Sequence, residues 1–165
     1  MDFDRSICRS FHDEHAATTT LLDELQDLLA RGGRGLPDLD DPQARGTLSQ
    51  ATKVIPNELH PHFEMEERIF PRLAEEGAAD MAETLIAEHR AILPIGDRVA
   101  EAAGRAIVHG FTEAEWDLFR ADAAEFISRL EAHILKEDKA LLPLLDEVLS
   151  PEDDLDLAQE YATLG

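Results

Sequence analysis

Apolar residues recur along this chain in alternating steps of four and three, the average spacing that keeps side chains on one face of a packed α-helix. Four stretches carry such a stripe. The first runs Phe11, His15, Thr18, Leu22, Leu25 and Leu29, and the second Ile55, Leu59, His62, Glu66, Ile69 and Leu73. The third runs Leu85, His89, Ile92, Gly96, Val99 and Ala103, and the fourth Phe126, Leu130, His133, Glu137, Ala140 and Leu144. No strand pattern occurs anywhere in the chain.

Glycine and proline set the boundaries. The segment from Gly32 to Pro42, GGRGLPDLDDP, cannot sustain a periodic structure, so helix 1 is expected to end near Arg31. Helix 2 is expected from about Pro42 to Glu75, with kinks at Pro56 and Pro61 and a C-terminal cap at Gly77. Helix 3 follows from Ala78 to Gly104, where a glycine marks the stop. Thr112-x-x-Glu115 is a capping box that opens helix 4, which runs to about Leu149. Ser150 and Pro151 then restart a short terminal helix over about 151–163, with serine as N-cap and proline at the first position.

Four long helices with two short connections predict an all-α fold, an antiparallel up-down four-helix bundle of about 4–149 with a short C-terminal helix, in a single domain spanning 1–165. Every stripe contains one histidine. In an antiparallel arrangement the start of one helix lies level with the end of the next, which brings His15, His62, His89 and His133 to one end of the bundle. Glu66 and Glu137 each follow a histidine by four residues, one turn along the same face. The spacing H-x-x-x-E alone is weak evidence, because it occurs four times in this chain. His60 with Glu64 shares a face with Lys53, Asn57 and Glu67, His109 with Glu113 straddles a turn, and His12 shares a face with Asp23 and Gln26, so those three histidines read as surface or structural. The convergent six read differently. Four imidazoles and two carboxylates at one level of a core lack obvious partners, and a bound cation resolves the cost of burying them.

Composition narrows the partners. Thirty-six acidic against 15 basic residues give a formal charge of −21, which repels phosphate backbones and anionic membrane surfaces and makes nucleic acid an unsuitable partner. The single cysteine, Cys8, cannot form an internal disulfide, and no apolar run approaches the roughly 20 residues that cross a bilayer. A soluble protein of a reducing cytoplasm is expected.

The six residues also carry a resemblance. His15 in FHDEH, His62 and Glu66 in HFEMEERIFP, His89 in AEHR, and His133 and Glu137 in HILKEDKALLP are similar to the haemerythrin-like proteins with an HHE cation-binding domain, over about Ile7 to Leu145. The resemblance implies two iron ions, joined by an oxide or hydroxide bridge, with the four histidines as terminal ligands and Glu66 and Glu137 bridging. Two positions depart from the oxygen carriers of that family. Their further helix 3 histidine is Leu93 here, followed by Pro94. Their helix 4 aspartate falls at Asp138, whereas Glu137 matches the H-x-x-x-E form. Glu137 continues the buried stripe; Asp138 points about 100° further round and would reach the centre only through a bulge near Lys136, where no glycine or proline stands.

Carboxylates mixed with imidazoles suit iron or manganese, and the absence of cysteine ligands weakens the case for zinc. The six residues supply about eight donor atoms, so about two positions of two octahedra stay open even with a solvent bridge. Expected is a binding protein for dioxygen or a related small ligand, such as peroxide or nitric oxide, acting as store, carrier or sensor. The alternative is a di-iron enzyme with catalase-like or oxidase activity, for which Glu58, Glu88, His12 or Asp138 are candidate additional ligands. A ferritin-like iron store needs glutamate three residues before a histidine, which this chain lacks.

Overall fold

The computed structural model describes residues 2–31 and 35–164 and is helical, with no strand among the described residues. Its elements are α1 (Ser6–Arg31), α2 (Pro42–Val54), a π-helical turn (Ile55–Leu59), α3 (His60–Glu75), α4 (Ala79–His109), α5 (Glu113–Lys136), a second π-helical turn (Glu137–Leu141), α6 (Leu142–Val148) and α7 (Pro151–Tyr161). The expected loop at Gly32–Pro42 lies partly outside the described residues. Helix 2 of the sequence reading is thus α2, a π turn and α3 in one run, and helix 4 is α5, a π turn and α6.

Local chemistry accounts for the ends. Asp41 caps α2 by accepting from the Gln43 N–H, and Pro42 occupies the first position. Both halves of the capping box form: Thr112 N–H donates to Glu115 and Glu115 N–H donates to the Thr112 hydroxyl. Ser150 caps α7. The expected stop at Gly104 is overturned. The helix continues five residues to His109 and ends at Gly110, whose φ of 76° is left-handed. Gly104 instead faces Thr52 across a helix contact.

One π turn stands where kinks are expected in helix 2, with Pro56 inside it, and the other overturns the expectation that no bulge stands near Lys136. Each precedes a proline by two residues, Pro61 or Pro143. Proline lacks an N–H and its ring presses on the carbonyl four residues back, here Asn57 or Lys139, so a widened turn relieves both problems. Pro71 and Pro94 sit inside α3 and α4, so proline permits the wide turn without dictating it. The second turn inserts one residue into the stripe of helix 4. The expected core positions Ala140 and Leu144 are only partly buried, and Leu141 and Leu145 take their places.

Contacts between neighbouring helices run in opposite numerical sense. Arg31 bonds Gln43 while Glu14 meets His62; Arg45 bonds the Ile107 carbonyl while Glu67 meets His89. Arg98 bonds Asp122 while Glu88 meets His133, and Arg5 bonds Asp146 while His15 meets Asp138. Gly96 allows the closest approach: a Cβ there would stand 2.8 Å from the Phe126 ring and 3.2 Å from Ile55. Two apolar clusters fill the interior. One gathers Leu22, Leu48, Phe63, Val99 and Phe126, the other Ile7, Phe11, Met65, Leu85, Leu141 and Leu157. The buried histidines and glutamates of the long helices gather at the boundary between the two, which makes a polar layer across the core.

Candidate metal centre

That layer consists of His15 from α1, His62 and Glu66 from α3, His89 from α4, and His133 and Glu137 from the end of α5 and the start of the second π turn. All six are buried, and both glutamates have no exposed surface. They form two overlapping groups, His15–His62–Glu66–Glu137 and Glu66–His89–His133–Glu137, within each of which the ligand-type atoms lie within 4.8 Å of one another. The two groups share both carboxylates.

The atoms divide accordingly. His15 Nε2 stands 3.2 Å from His62 Nε2, and His89 Nε2 stands 3.2 Å from His133 Nε2. Glu66 turns Oε1 toward His62, at 3.3 Å, and Oε2 toward His89, at 3.2 Å. Glu137 turns Oε2 toward His15, at 3.1 Å, and Oε1 toward His133, at 2.8 Å. Each carboxylate therefore gives one oxygen to each histidine pair.

A second layer of carboxylates fixes the rings. Each Nδ1 meets an acid of the neighbouring helix: His15 with Asp138 at 2.8 Å, His62 with Glu14 at 2.6 Å, His89 with Glu67 at 3.0 Å and His133 with Glu88 at 2.8 Å. These four links close a circuit, in which every long helix sends one histidine inward and one carboxylate sideways. An acid at Nδ1 accepts its proton and leaves Nε2 as a lone pair aimed inward, the arrangement of a metal-ligating histidine. Aromatic rings complete the support. Phe63 stacks on His89 at 3.8 Å and 9°, Phe70 lies on that imidazole at 5.9 Å, and Phe11 meets His62 edge-on at 4.8 Å.

These residues fit a cation. All four oxygens of Glu66 and Glu137 are buried without a hydrogen-bond partner, and four imidazole nitrogens converge on them. Without a cation the layer must hold protons instead. Burial opposes charge on His15, but the hydrogen bond with Asp138 and the nearby Glu137 carboxylate prevail and push it up to about 9. Burial likewise opposes His62 and His89; Glu66 and Glu14 raise the first to about 10, and Glu137 and Glu66 raise the second to about 9. For Glu137 burial favours the neutral acid, yet the imidazoles of His133, His15 and His89 hold it well below the usual carboxylate range.

The candidate additional ligands take other positions. Asp138 does reach inward, but to the outer nitrogen of His15 and to Nδ1 of His12, at 3.2 Å, and not to the inner atoms. The π turn begins at Glu137, so the α-helical spacing from His133 to Glu137 is undisturbed. Glu88 is taken by His133 and Lys136, and Glu58 is exposed on the first π turn. His60 pairs with Asp97 at 2.7 Å, and His109 is exposed. Leu93 packs against the apolar cluster. Sequence reasoning missed Glu14 and Glu67, whose signal is an acid adjacent to a central residue in Glu14-His15, Glu66-Glu67, Glu88-His89 and Glu137-Asp138. One residue is about 100° of helix, which aims such an acid at the next helix.

A helical fold with a buried layer of this composition defines a cation-binding protein of the haemerythrin type. The hemerythrin HHE cation binding domain model matches residues 6–145, and the chain belongs to that family. It is similar to the uncharacterized proteins Rv1995 of Mycobacterium tuberculosis and Mb2018 of Mycobacterium bovis, each 27% identical over 137 residues, which cover 81% of this chain and 53% of the relative. The chain thus spans about half the length of these curated relatives.

Proposed function

We propose that this chain is an antiparallel four-helix bundle that holds two iron ions and binds dioxygen or a related small ligand, such as peroxide or nitric oxide, as store, carrier or sensor. The observation that carries the reading is the division of Glu66 and Glu137, each offering one oxygen to the His15/His62 pair and the other to the His89/His133 pair. Two ions side by side use that division; one ion does not. His15 and His62 would hold one ion and His89 and His133 the other, with Glu66 and Glu137 available to both. Iron fits a donor set of imidazoles and carboxylates without thiolate, and it supplies a change of oxidation state beside open positions for a small ligand. The surrounding residues hold the rings, keep the Nδ1 protons outward and exclude water with Phe11, Phe63 and Phe70.

A small neutral ligand also suits the charge of −21, which disfavours nucleic acid and anionic membrane surfaces as partners. No helix among the described residues is long and apolar enough to cross a membrane. A cytoplasmic location is consistent with the single cysteine, which is buried. Metal analysis and optical spectra of protein purified in air and without oxygen test the reading. Two irons per chain and an absorption band that responds reversibly to oxygen are expected. A steady value of one ion, or full occupancy by zinc from iron-rich medium, would sink the two-iron assignment, and rapid peroxide consumption would favour an enzyme.

A further inference from the structure

Glu14, the acid that orients His62, is itself held from an unexpected direction. Its Oε2 accepts the His62 Nδ1 proton and also the hydroxyl proton of Tyr161, the last residue of α7. Tyr161 lies beyond the matched family segment of 6–145. Its ring packs edge-on against Phe11, one turn before Glu14 and His15 on α1. The rest of α7 is fastened to α1 and to α3. The Asp154 carboxylate accepts from the N–H groups of Ser6 and Ile7 at 2.8 and 2.9 Å, which caps α1 from a position nearly 150 residues away in sequence. Leu157 is buried in the apolar cluster below the polar layer, and Arg72 and Arg68 of α3 pair with Asp153 and Glu160. Among the described residues the other histidine pair has no link of this kind: Glu67 meets His89 alone, and the second partner of Glu88 is Lys136, from the same helix as His133.

We propose that Tyr161 is a positioning residue for one half of the metal centre: through Glu14 it fixes the ring and tautomer of His62, so that α7 governs the hold of the His15/His62 position on its ion and leaves the His89/His133 position alone. The proposal rests on the two-ion reading above. Its physical basis is that a carboxylate with two donors loses the freedom to rotate away, and an outer partner of a ligating histidine is worth about 10- to 100-fold in metal affinity. Because Tyr161 does not touch the inner atoms, its removal weakens one ion without removing a ligand.

The test is a chelator titration of the full chain loaded with Fe(II) without oxygen, with retained iron counted at each chelator concentration. Wild type is expected to keep two irons up to a common threshold. Tyr161→Phe, which removes only a hydroxyl, is expected to release one iron at about tenfold lower chelator and the second where wild type does. Glu14→Ala is expected to give the same one-ion loss more strongly, and the double variant to release metal as Glu14→Ala does, since one residue acts through the other. Far-ultraviolet circular dichroism checks that the helices persist. Unchanged release from Tyr161→Phe, equal loosening of both ions, or a double variant that adds the two shifts would each overturn the proposal. Wild type that holds fewer than two irons would instead bring down the two-ion reading, and the proposal with it.

Discussion

Glu137 and Asp138 are adjacent in the chain and do different work. Glu137 has both oxygens in the polar layer between the two histidine pairs, while Asp138 stands outside it and accepts from His15 and His12. Glu137→Ala is expected to abolish two-ion assembly, because it deletes one donor from each position. Asp138→Ala should leave both ions in place and weaken one by about 10- to 100-fold, the usual effect of losing the partner of a ligating histidine. His60→Ala and His109→Ala should change metal content little, since neither residue reaches the layer. Iron analysis after graded chelation distinguishes these outcomes, and complete loss from Asp138→Ala would move it into the ligand set. The six central positions could be read from the sequence because burial repeats with the helical period. The outer circuit could not: whether Glu14 faces His62 or solvent depends on which helix lies beside α1, and that is settled by the fold and not by local spacing.

At the scale of the element, long helices and their caps were legible where side chains bond the backbone locally, as in Thr112 with Glu115 and Ser150 with Asp153. Two features were not. Gly104 looks like a terminator, yet helix propensity costs about 1 kcal/mol for a glycine, which packing against α2 overrides. The π turn at Glu137–Leu141 leaves no periodic trace before it, and its consequence is a core that shifts by one residue to Leu141 and Leu145. Gly96 provides the test of helix packing. An added methyl would press on the Phe126 ring at 2.8 Å and on Ile55 at 3.2 Å, and neither is the free end of a flexible chain. Gly96→Ala should destabilise the protein by about 1–3 kcal/mol despite its better helix propensity. Urea unfolding measures this, and a variant as stable as wild type would show that α4 can move away from its neighbours at little cost.

For the whole molecule, the metal centre couples stability to pH, and the coupling has opposite origins in the two forms. In the metal-free protein His15, His62 and His89 are raised from 6.5 to about 9, 10 and 9. Burial works against these charges, and the carboxylates around them prevail. A group whose folded value is raised stabilises fully below its unfolded value and loses that contribution as pH rises through the folded one. The metal-free protein therefore weakens between about pH 6.5 and about 10. Glu66 and Glu137 are lowered, so their contribution is present above about pH 4.5 and is lost as pH falls. The metal-bound protein holds cations where those imidazolium protons were, and binding requires the protons to leave, so metal affinity grows as pH rises. Added stability follows affinity through mass action on the folded state. The difference in melting temperature between loaded and chelated protein is thus expected to widen from about pH 6 to about pH 9, with protons released on metal binding near neutrality. Paired thermal melts at fixed free metal, with an indicator dye in weak buffer, read both effects. A difference that narrows over this range would mean that the buried imidazoles do not carry protons in the metal-free protein, and that its carboxylates are neutralised some other way.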